Sequence, residues 1–325
     1  MDGPAEPHAG RRSLMPLAPG GRRDPLRRSL GGKVVWVTGA SSGIGRSLAL
    51  RAHAAGATVI LSARRASRLN QVAAECAGRG GAPAHVVPVD LTDETALPRA
   101  VADVLAITGR VDWIVHNAGI AARDLAVDLP LEIDRKVMET NYFAPVALTK
   151  ALIPSMLDRR AGTIVVVSSM TGKYGAPRMS AYAASKHALH GFFDSLRSEV
   201  RDRGIQVTIA IPGFVDTAIT VNALTGSGDR YGKRMSVHAH GMTPDECARR
   251  ILEGAVAGKE EILIGGIEIV TVRLLRVSRR LVSAIISSHP HRRFLALRAR
   301  LRAVAAGLVR AVRPPLVGGR RPGSR

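Results

Sequence analysis

A glycine-rich turn near the start of the chain most constrains what this sequence can fold into. The apolar run 33–38 has the length and β-branched content of a buried strand, and a helical pattern follows the turn up to Ala55. A strand, a glycine-rich turn and a helix in this order place backbone N–H groups and a positive helix end beside a bound pyrophosphate. The alternative is a tight turn that needs only flexible glycines. The cofactor contacts predicted here are Gly39, Ser41, Ser42, Gly43, Ile44 and Gly45.

Six further strand-like runs alternate with helical patterns along the chain. The predicted strands fall within residues 33–38, 57–62, 84–90, 111–119, 163–167, 206–211 and 261–264. Such alternation predicts an α/β fold, in which a doubly wound parallel sheet of about seven strands carries helices on both faces. A longer helix is expected over 130–159, with a distortion near Asn141 because an Asn inside a helix usually makes local hydrogen bonds.

The second predicted strand ends in Arg64 and Arg65, which bears on the choice of cofactor. An acidic side chain near this point would bind a ribose 2′-hydroxyl, whereas an arginine accepts a 2′-phosphate. No Asp or Glu occurs between Arg46 and Glu75. The sequence therefore favours NADP(H) over NAD(H), with Arg64 as the phosphate contact and Arg65 as a solvated helix start.

The third and fourth strands end in further candidate cofactor contacts. Asp90, followed by Leu91, closes the third strand, and it either accepts a hydrogen bond from the adenine amino group or caps the next helix. The fourth strand ends in Asn117-Ala118-Gly119, whose small side chains would let a cofactor ribose approach the backbone.

The residues best suited to acid–base chemistry are Ser169, Tyr182 and Lys186. Ser169 follows the fifth strand, at the edge where an open α/β sheet presents its ligand crevice. Tyr182 and Lys186 are four residues apart on a predicted helix and therefore share a face. A phenol, which has a pKa of about 10, is a poor catalyst at neutral pH unless a nearby cation favours its anion, and Lys186 is that candidate cation. The alternative is an amphipathic helix with a partly buried tyrosine.

The ordered set of motifs over about 32–265 resembles the classical short-chain dehydrogenases/reductases. The motifs are Thr38-Gly39-x-x-x-Gly43-x-Gly45, Asn117-Ala118-Gly119, Asn141, Ser169, Tyr182-x-x-x-Lys186 and Pro212-Gly213. The resemblance implies a Rossmann-type domain and hydride transfer at a nicotinamide, with Pro212 and Gly213 among the cofactor contacts. One departure is His116, where the family usually has Asn, and we interpret it as a buried hydrogen-bond partner.

The resemblance also implies a role for each residue of the site. Tyr182 is the general acid in reduction, or the base in oxidation, and Ser169 hydrogen-bonds the substrate oxygen. Lys186 lowers the pKa of the phenol and holds the nicotinamide ribose. Asn141 helps to hold a water molecule in the proton relay. Thr217 resembles the residue that contacts the nicotinamide carboxamide.

Two longer stretches, 181–194 and 221–232, resemble the dehydrogenase/reductase member 7 branch of this family. This branch is related to the hydroxysteroid dehydrogenases and implies an NADPH-dependent carbonyl reductase acting on a hydrophobic ketone or aldehyde, such as a lipid, steroid or retinoid. An NADP-linked alcohol dehydrogenase running oxidatively and a non-catalytic NADP-binding scaffold are the alternatives. The glycine-rich region 218–240 is predicted to be a mobile lid over the site. The family also implies a homo-oligomer.

The basic character of the chain belongs to its C-terminal part. The net charge is +21, and from Thr271 to Arg325 there are 14 Arg without a single Lys, Asp or Glu. Within residues 294–312 the apolar side chains form one helical stripe, which favours a basic amphipathic helix lying on an anionic membrane. Packing against the domain or a subunit partner, and a free or nucleic-acid-bound tail, remain open. Few aromatics accompany the arginines, so no nucleic-acid partner is predicted.

The remaining expectations concern the domain limits, the compartment and metals. We expect a disordered arm over 1–31, a catalytic domain over 32–266 and the basic extension over 267–325. Cys76 and Cys247 form no paired motif, so a reducing compartment is expected. No secretory signal, N-terminal anchor or spanning helix is predicted, which favours a cytoplasmic protein with peripheral membrane binding. The pairs His238-x-His240 and His289-x-His291 lack further ligands, and no metal site is predicted.

Overall fold

The computed structural model describes residues 25–287, and the fold consists of one sheet with helices on both faces. All neighbouring strands pair in parallel, in the order β3-β2-β1-β4-β5-β6-β7. The predicted seven-stranded Rossmann-type parallel sheet is thus confirmed. The strands are β1 (Val34–Thr38), β2 (Thr58–Ser62), β3 (Ala84–Val86), β4 (Trp113–His116), β5 (Gly162–Val167), β6 (Ile205–Pro212) and β7 (Glu261–Ile264).

The helices cover the sheet because successive strand residues point to opposite faces. The helices are α1 (Pro25–Leu30), α2 (Gly43–Ala54), α3 (Ala66–Ala77), α4 (Ala96–Thr108), α5 (Leu131–Met138), α6 (Ala144–Asp158), α7 (Ser180–Val200), α8 (Ser236–Ala239), α9 (Pro244–Val256), α10 (Ile269–Leu274) and α11 (Arg279–Ser287). In β1, Val35 and Val37 pack into one core, with α1, α2, α3 and α9, while Trp36 packs into the other, with α4, α6 and α7. Both cores are apolar and buried, as expected for a parallel sheet.

The long helix predicted over 130–159 forms, with a distortion where Asn141 stands. A π-helical turn, Glu139–Phe143, joins α5 to α6. The predicted distortion at this asparagine is therefore confirmed. A π-turn inserts an extra residue into the helix and often marks a functional site.

Residues on both sides of the predicted domain, 32–266, are folded and packed within the part of the chain that the structure describes. Pro25–Leu30, which falls in the predicted arm, is helical, and Leu30 is completely buried. At the other end, in the predicted extension, Glu268, Val272 and Val282 are buried. The physical reason is the same at both ends, because apolar side chains from these short helices complete the packing of the sheet faces.

Glu268 ties the segment after β7 to the turn after β6. Its Oε1 accepts hydrogen bonds from Gly266 N at 2.9 Å and Phe214 N at 3.4 Å. Gly213 makes room for this carboxylate, since a Cβ there would lie 2.6 Å from Oε1. The turn at Gly213 is thereby supported from behind by residues beyond the seventh strand.

No helix within residues 25–287 has the length and apolar character needed to cross a membrane. The predicted amphipathic helix over 294–312 lies outside the described residues.

We expect Glu268→Ala to lower the free energy of unfolding by about 1–3 kcal/mol, because two backbone N–H groups lose a shared acceptor in a buried place. Urea denaturation of the full chain measures this change. Glu199→Ala, which removes an exposed carboxylate from α7, is the matched control and should unfold like the wild type. Equal stability of the two variants would show that Glu268 does not hold this junction.

Candidate active site

A cavity of about 1160 Å³ opens at the carboxyl edge of the sheet. It lies where the strand order reverses between β1 and β4, which is where doubly wound sheets bind ligands. Two predicted site residues, Gly45 and Asn141, do not line this cavity. The predicted residues that do line it are Gly39, Ser41, Ser42, Gly43, Ile44, Arg64, Asp90, Leu91, Asn117, Ala118, Gly119, Ser169, Tyr182, Lys186, Pro212, Gly213 and Thr217.

The glycine-rich turn after β1 packs closely against the turn after β4. Gly39 has φ +68°, and a Cβ there would lie 2.8 Å from the Ala118 Cα. A Cβ on Gly45 would lie 2.3 Å from both the Asn117 Nδ2 and the Gly39 oxygen, so this position accepts no larger residue without a shift. Gly45 therefore brings the start of α2 close to the two turns instead of facing the cavity.

The start of α2 fits the phosphates of a dinucleotide. The N-cap residue, Ser42, is extended and makes no side-chain capping bond to the helix. The first backbone N–H groups of a helix need external partners, and they favour an anion together with the positive end of the helix dipole. The residues present are thus suited to hold a pyrophosphate at this point of the cavity.

Thr38 fixes the two turns relative to each other. Its Oγ1 accepts hydrogen bonds from Asn117 N at 3.1 Å and Ala118 N at 3.2 Å, and it donates to Val115 O at 3.3 Å. The Asn117 side chain returns a bond from Nδ2 to Thr38 O at 3.0 Å. The ends of β1 and β4 are therefore joined by buried and partly buried polar contacts in addition to sheet pairing.

Arg64 and Arg65 stand together at the end of the cavity that lies beside β2. Both side chains are exposed and both line the cavity. Arg65 is also the N-cap residue of α3, so its predicted place at a solvated helix start agrees with the structure, and like Arg64 it lines the cavity.

Asp90 lines the same end and is held by its own turn. Its Oδ1 accepts from Thr92 N at 3.0 Å and from Thr92 Oγ1 at 2.9 Å. Helix α4 begins at Ala96, whose N–H donates to Asp93 instead. Of the two predicted roles for Asp90, capping of the helix is therefore wrong, because Asp93 stands closer to the first helical turn.

The structure brings Ser169, Tyr182 and Lys186 together at the centre of the cavity. Ser169 caps a short 3₁₀ turn, Met170–Gly172, directly after β5, and Tyr182 and Lys186 share the first turns of α7. The Lys186 Nζ lies 5.7 Å from the centre of the Tyr182 ring and donates to Val167 O at 2.9 Å. Both side chains are buried, at 8% and 4% exposure.

Burial controls the protonation of these two groups. It raises the pKa of Tyr182 to about 12, although the hydrogen bond with Ser169 acts in the opposite direction. It lowers the pKa of Lys186 to about 8, because removal from water disfavours the charged form. The net effect in this structure is therefore a raised pKa of the phenol, and the lowering of that pKa by Lys186 stays a prediction. At neutral pH the phenol keeps its proton and the amine is mainly protonated.

Asn141 is completely buried, and it positions the turn after β4. Its Oδ1 accepts from Ile120 N at 2.8 Å, and its Nδ2 donates to Ile120 O and to Ser185 Oγ, both at 2.9 Å. Both amide hydrogens are therefore used, so the side chain has none left for a water molecule. The contacts link the turn after β4 to α7, one residue before Lys186.

His116 is a buried hydrogen-bond partner, as interpreted. Its Nε2 lies 2.8 Å from Thr149 Oγ1, and its ring packs near Phe193. Burial lowers its pKa to about 3, so the imidazole is neutral at physiological pH. It faces the helix layer behind β4 and does not line the cavity.

Several cavity residues carry no recognisable signal in the sequence. Lys136 comes from α5, and Arg230 and Arg234 come from the region predicted to be a lid. That region does line the cavity, and it is held by backbone bonds such as Leu224 N to Ala121 O at 2.9 Å. Isolated basic residues in a loop have no period or spacing, so only the folded chain shows that they converge here.

Comparison with known proteins agrees with this geometry. Residues 33–227 match the family model described as short chain dehydrogenase. A Drosophila melanogaster protein named Dehydrogenase/reductase SDR family protein 7-like is 44% identical over 246 residues, which cover 75% of this chain and 76% of that protein. The Mus musculus Dehydrogenase/reductase SDR family member 7B is 44% identical over 234 residues, covering 71% and 72% of the two chains.

A solved structure shares the architecture. A metagenomic short-chain oxidoreductase in complex with NADP superposes with a TM-score of 0.62 at 29% identity, covering 73% of this chain and 98% of that one. The motifs, the sheet order and these similarities all converge on one conclusion. This chain belongs to the short-chain dehydrogenase/reductase family, in its member 7 branch, and is an oxidoreductase of the type that uses a nicotinamide dinucleotide.

Proposed function

We propose that this protein is an NADPH-dependent carbonyl reductase that converts a hydrophobic ketone or aldehyde into the alcohol. The observation that carries the proposal is that the half-buried Ser169 and the buried Tyr182 and Lys186 line the same cavity, with the phenol neutral at physiological pH. A neutral phenol has a proton to give, and reduction of a carbonyl consumes one.

In the proposed mechanism Ser169 and Tyr182 both donate hydrogen bonds to the carbonyl oxygen, which polarises the carbonyl. When bound, the reduced nicotinamide supplies a hydride to the carbonyl carbon. Tyr182 transfers its proton to the oxygen as negative charge develops there, and the product is the alcohol. The Lys186 ammonium, 5.7 Å from the ring centre, stabilises the phenolate that remains.

Asn141 acts in this proposal through the backbone that it holds. By fixing both the N–H and the C=O of Ile120, it keeps Gly119 close to Lys186, where a Cβ on Gly119 would lie 3.5 Å from Nζ. Both side-chain amide hydrogens of Asn141 are already donated, so in this proposal its backbone, instead of its side chain, holds the water molecule of the proton relay. The proposed binding of the nicotinamide ribose by Lys186 uses the same small-residue turn.

The preference for NADPH is supported by the two arginines at the adenosine end. A 2′-phosphate carries about two negative charges near neutral pH, and guanidinium groups bind phosphate through charge-assisted hydrogen bonds. Arg64 and Arg65 both line the cavity, whereas the acidic side chain there, Asp90, is bonded to Thr92.

Thr217 is proposed to contact the nicotinamide carboxamide. It packs over the start of α2, where a Cβ on Gly43 would lie 3.2 Å from the Thr217 Cγ2.

An apolar substrate is supported by the surroundings of Tyr182. Ala121, Tyr182 and Ala223 form a buried cluster with Met179, Ile219 and Tyr231 packed against it. The cavity wall on this side continues through Ile120, Val221 and Leu224.

Oxidation of an alcohol by the same site is the second candidate direction. It would require Tyr182 to lose its proton before the reaction.

We further propose that α10 and α11 bind an anionic membrane surface. Val277 is 84% exposed and Leu281 is 50% exposed, and the neighbouring Arg273, Arg276 and Arg280 are exposed as well. Apolar side chains beside cations are suited to the interface of an anionic bilayer.

Homo-oligomerisation is supported by two half-exposed apolar side chains on neighbouring elements. Phe143 lies on the π-turn before α6, and Ile107 lies on the neighbouring helix α4.

We expect Tyr182→Phe to lower kcat for carbonyl reduction by roughly 10²- to 10⁴-fold, because the general acid is lost while the ring remains. NADPH oxidation with a panel of apolar aldehydes and ketones measures the rate, and fluorescence titration measures NADPH binding, which should be retained. Tyr142→Phe makes the same chemical change outside the cavity and should leave the rate unchanged. Full activity of Tyr182→Phe would remove the proposed function.

We expect Arg64→Ala to raise KM for NADPH roughly 10- to 100-fold through loss of charge-assisted bonds, with KM for NADH unchanged. Steady-state kinetics with each cofactor test this. Arg68→Ala, which removes an exposed arginine one helical turn further along, is the control. A parallel loss with both cofactors would contradict binding of the 2′-phosphate at this position.

We expect Val277→Ser combined with Leu281→Ser to reduce flotation of the full-length protein with phosphatidylserine vesicles, because the exposed apolar side chains no longer enter the interface. Val127→Ser alters an equally exposed apolar residue, at 89% exposure, on a different segment and serves as the control. If the double variant floats like the wild type, this surface is not the membrane contact.

A further inference from the structure

The hydroxyl of Ser169 receives two hydrogen bonds from a single neighbour, Thr171. The Thr171 backbone N–H donates to Ser169 Oγ at 3.2 Å, and the Thr171 side-chain hydroxyl donates to the same atom at 3.0 Å. A serine hydroxyl has two acceptor lone pairs and one proton. Both lone pairs of Ser169 are therefore occupied, and its own proton is left to be donated elsewhere.

The turn that carries Thr171 is rigidly held. Its backbone closes through Gly172 N to Ser169 O and Lys173 N to Met170 O, both at 2.9 Å. Gly172 packs closely behind it, since a Cβ there would lie 2.6 Å from the Ser168 Oγ. Thr171 itself is 9% exposed and is not part of the cavity wall. The side chain thus acts on the cavity only through Ser169.

This arrangement decides which of the two hydroxyls at the centre of the site donates. If a lone pair of Ser169 were open, the Tyr182 O–H could turn to it, and the proton needed for reduction would be held by Ser169. With both lone pairs filled, Ser169 can only donate, either to the phenol oxygen or to a substrate. Ser169 and Tyr182 are hydrogen-bonded to each other, and this bond opposes the rise in the pKa of the phenol.

We propose that Thr171 is a positioning residue for carbonyl reduction, whose hydroxyl holds Ser169 as an obligate hydrogen-bond donor toward the substrate oxygen. The inference rests on the proposed function of the site. It adds a residue that touches neither cofactor nor substrate, and it explains how two neighbouring hydroxyls both direct their protons to one carbonyl oxygen, which has two lone pairs to receive them.

The test compares Thr171→Val, Thr171→Ser and the wild type in full-length protein. Valine keeps the shape and loses the hydroxyl, whereas serine keeps the hydroxyl. We expect Thr171→Val to lower kcat for the best carbonyl of the panel roughly tenfold, the scale of one misdirected hydrogen bond. Thr171→Ser should retain the wild-type rate, and NADPH affinity, measured by fluorescence titration, should be the same in all three. Should valine prevent folding, Thr171→Ala makes the same comparison with serine.

A second comparison separates this role from a merely structural one. In a Ser169→Ala background there is no hydroxyl to orient, so Thr171→Val should cause no additional loss of kcat. An equal loss in both backgrounds, or wild-type activity of Thr171→Val, would overturn the inference. If Tyr182→Phe and Ser169→Ala lose most of their activity but keep a measurable part of it while Thr171→Val is fully active, only this inference fails. If all of these variants are active, the proposed function fails with it.

Discussion

The adjacency of β1 and β4 is the constraint on which the rest of the structure depends. These strands are neighbours in the sheet although two strands and their helices separate them in the chain. The connections that leave them run to opposite faces, so the two turns diverge and a crevice opens between them. Thr38 joins the turns through Asn117 and Ala118 and so prevents this crevice from closing or shifting. The cavity that the candidate site residues line opens at this junction of the two turns.

The burial of Lys186 affects both the stability of the fold and the electrostatics of the site. A lysine whose pKa is lowered to about 8 by burial is held in an environment that disfavours its charge, and such a group destabilises the fold at neutral pH. Between the folded pKa of about 8 and the ordinary value of 10.5, Lys186 binds a proton in the unfolded chain but is mostly neutral in the folded one. The free energy of unfolding therefore rises with pH across this interval. The same low polarity strengthens the field that Lys186 exerts on a developing phenolate.

The segment that follows β7 packs against the sheet and against a turn that lines the cavity. Glu268 supports the turn at Gly213, which lines the cavity, and the buried Val272 continues the core. Helix α11 then lies beside the turn that follows Ser169, where Tyr174, His187 and Val282 border a second cavity of about 390 Å³. Helix α11 and the turn after Ser169 are therefore close neighbours, although about a hundred residues separate them in the sequence.

The sheet, the order of its elements and the lining of the cofactor half of the cavity follow from the amino-acid sequence alone, because those features depend on local spacing. Apolar runs, glycine positions and the Tyr182–Lys186 interval are properties of short segments, and even the distortion at Asn141 follows from one polar residue in a helix. Three outcomes required the folded chain: Leu30 and Glu268 are buried, Arg230 and Arg234 line the cavity, and burial raises the pKa of Tyr182. These outcomes depend on which distant segments exclude water from one another, and no local pattern encodes that.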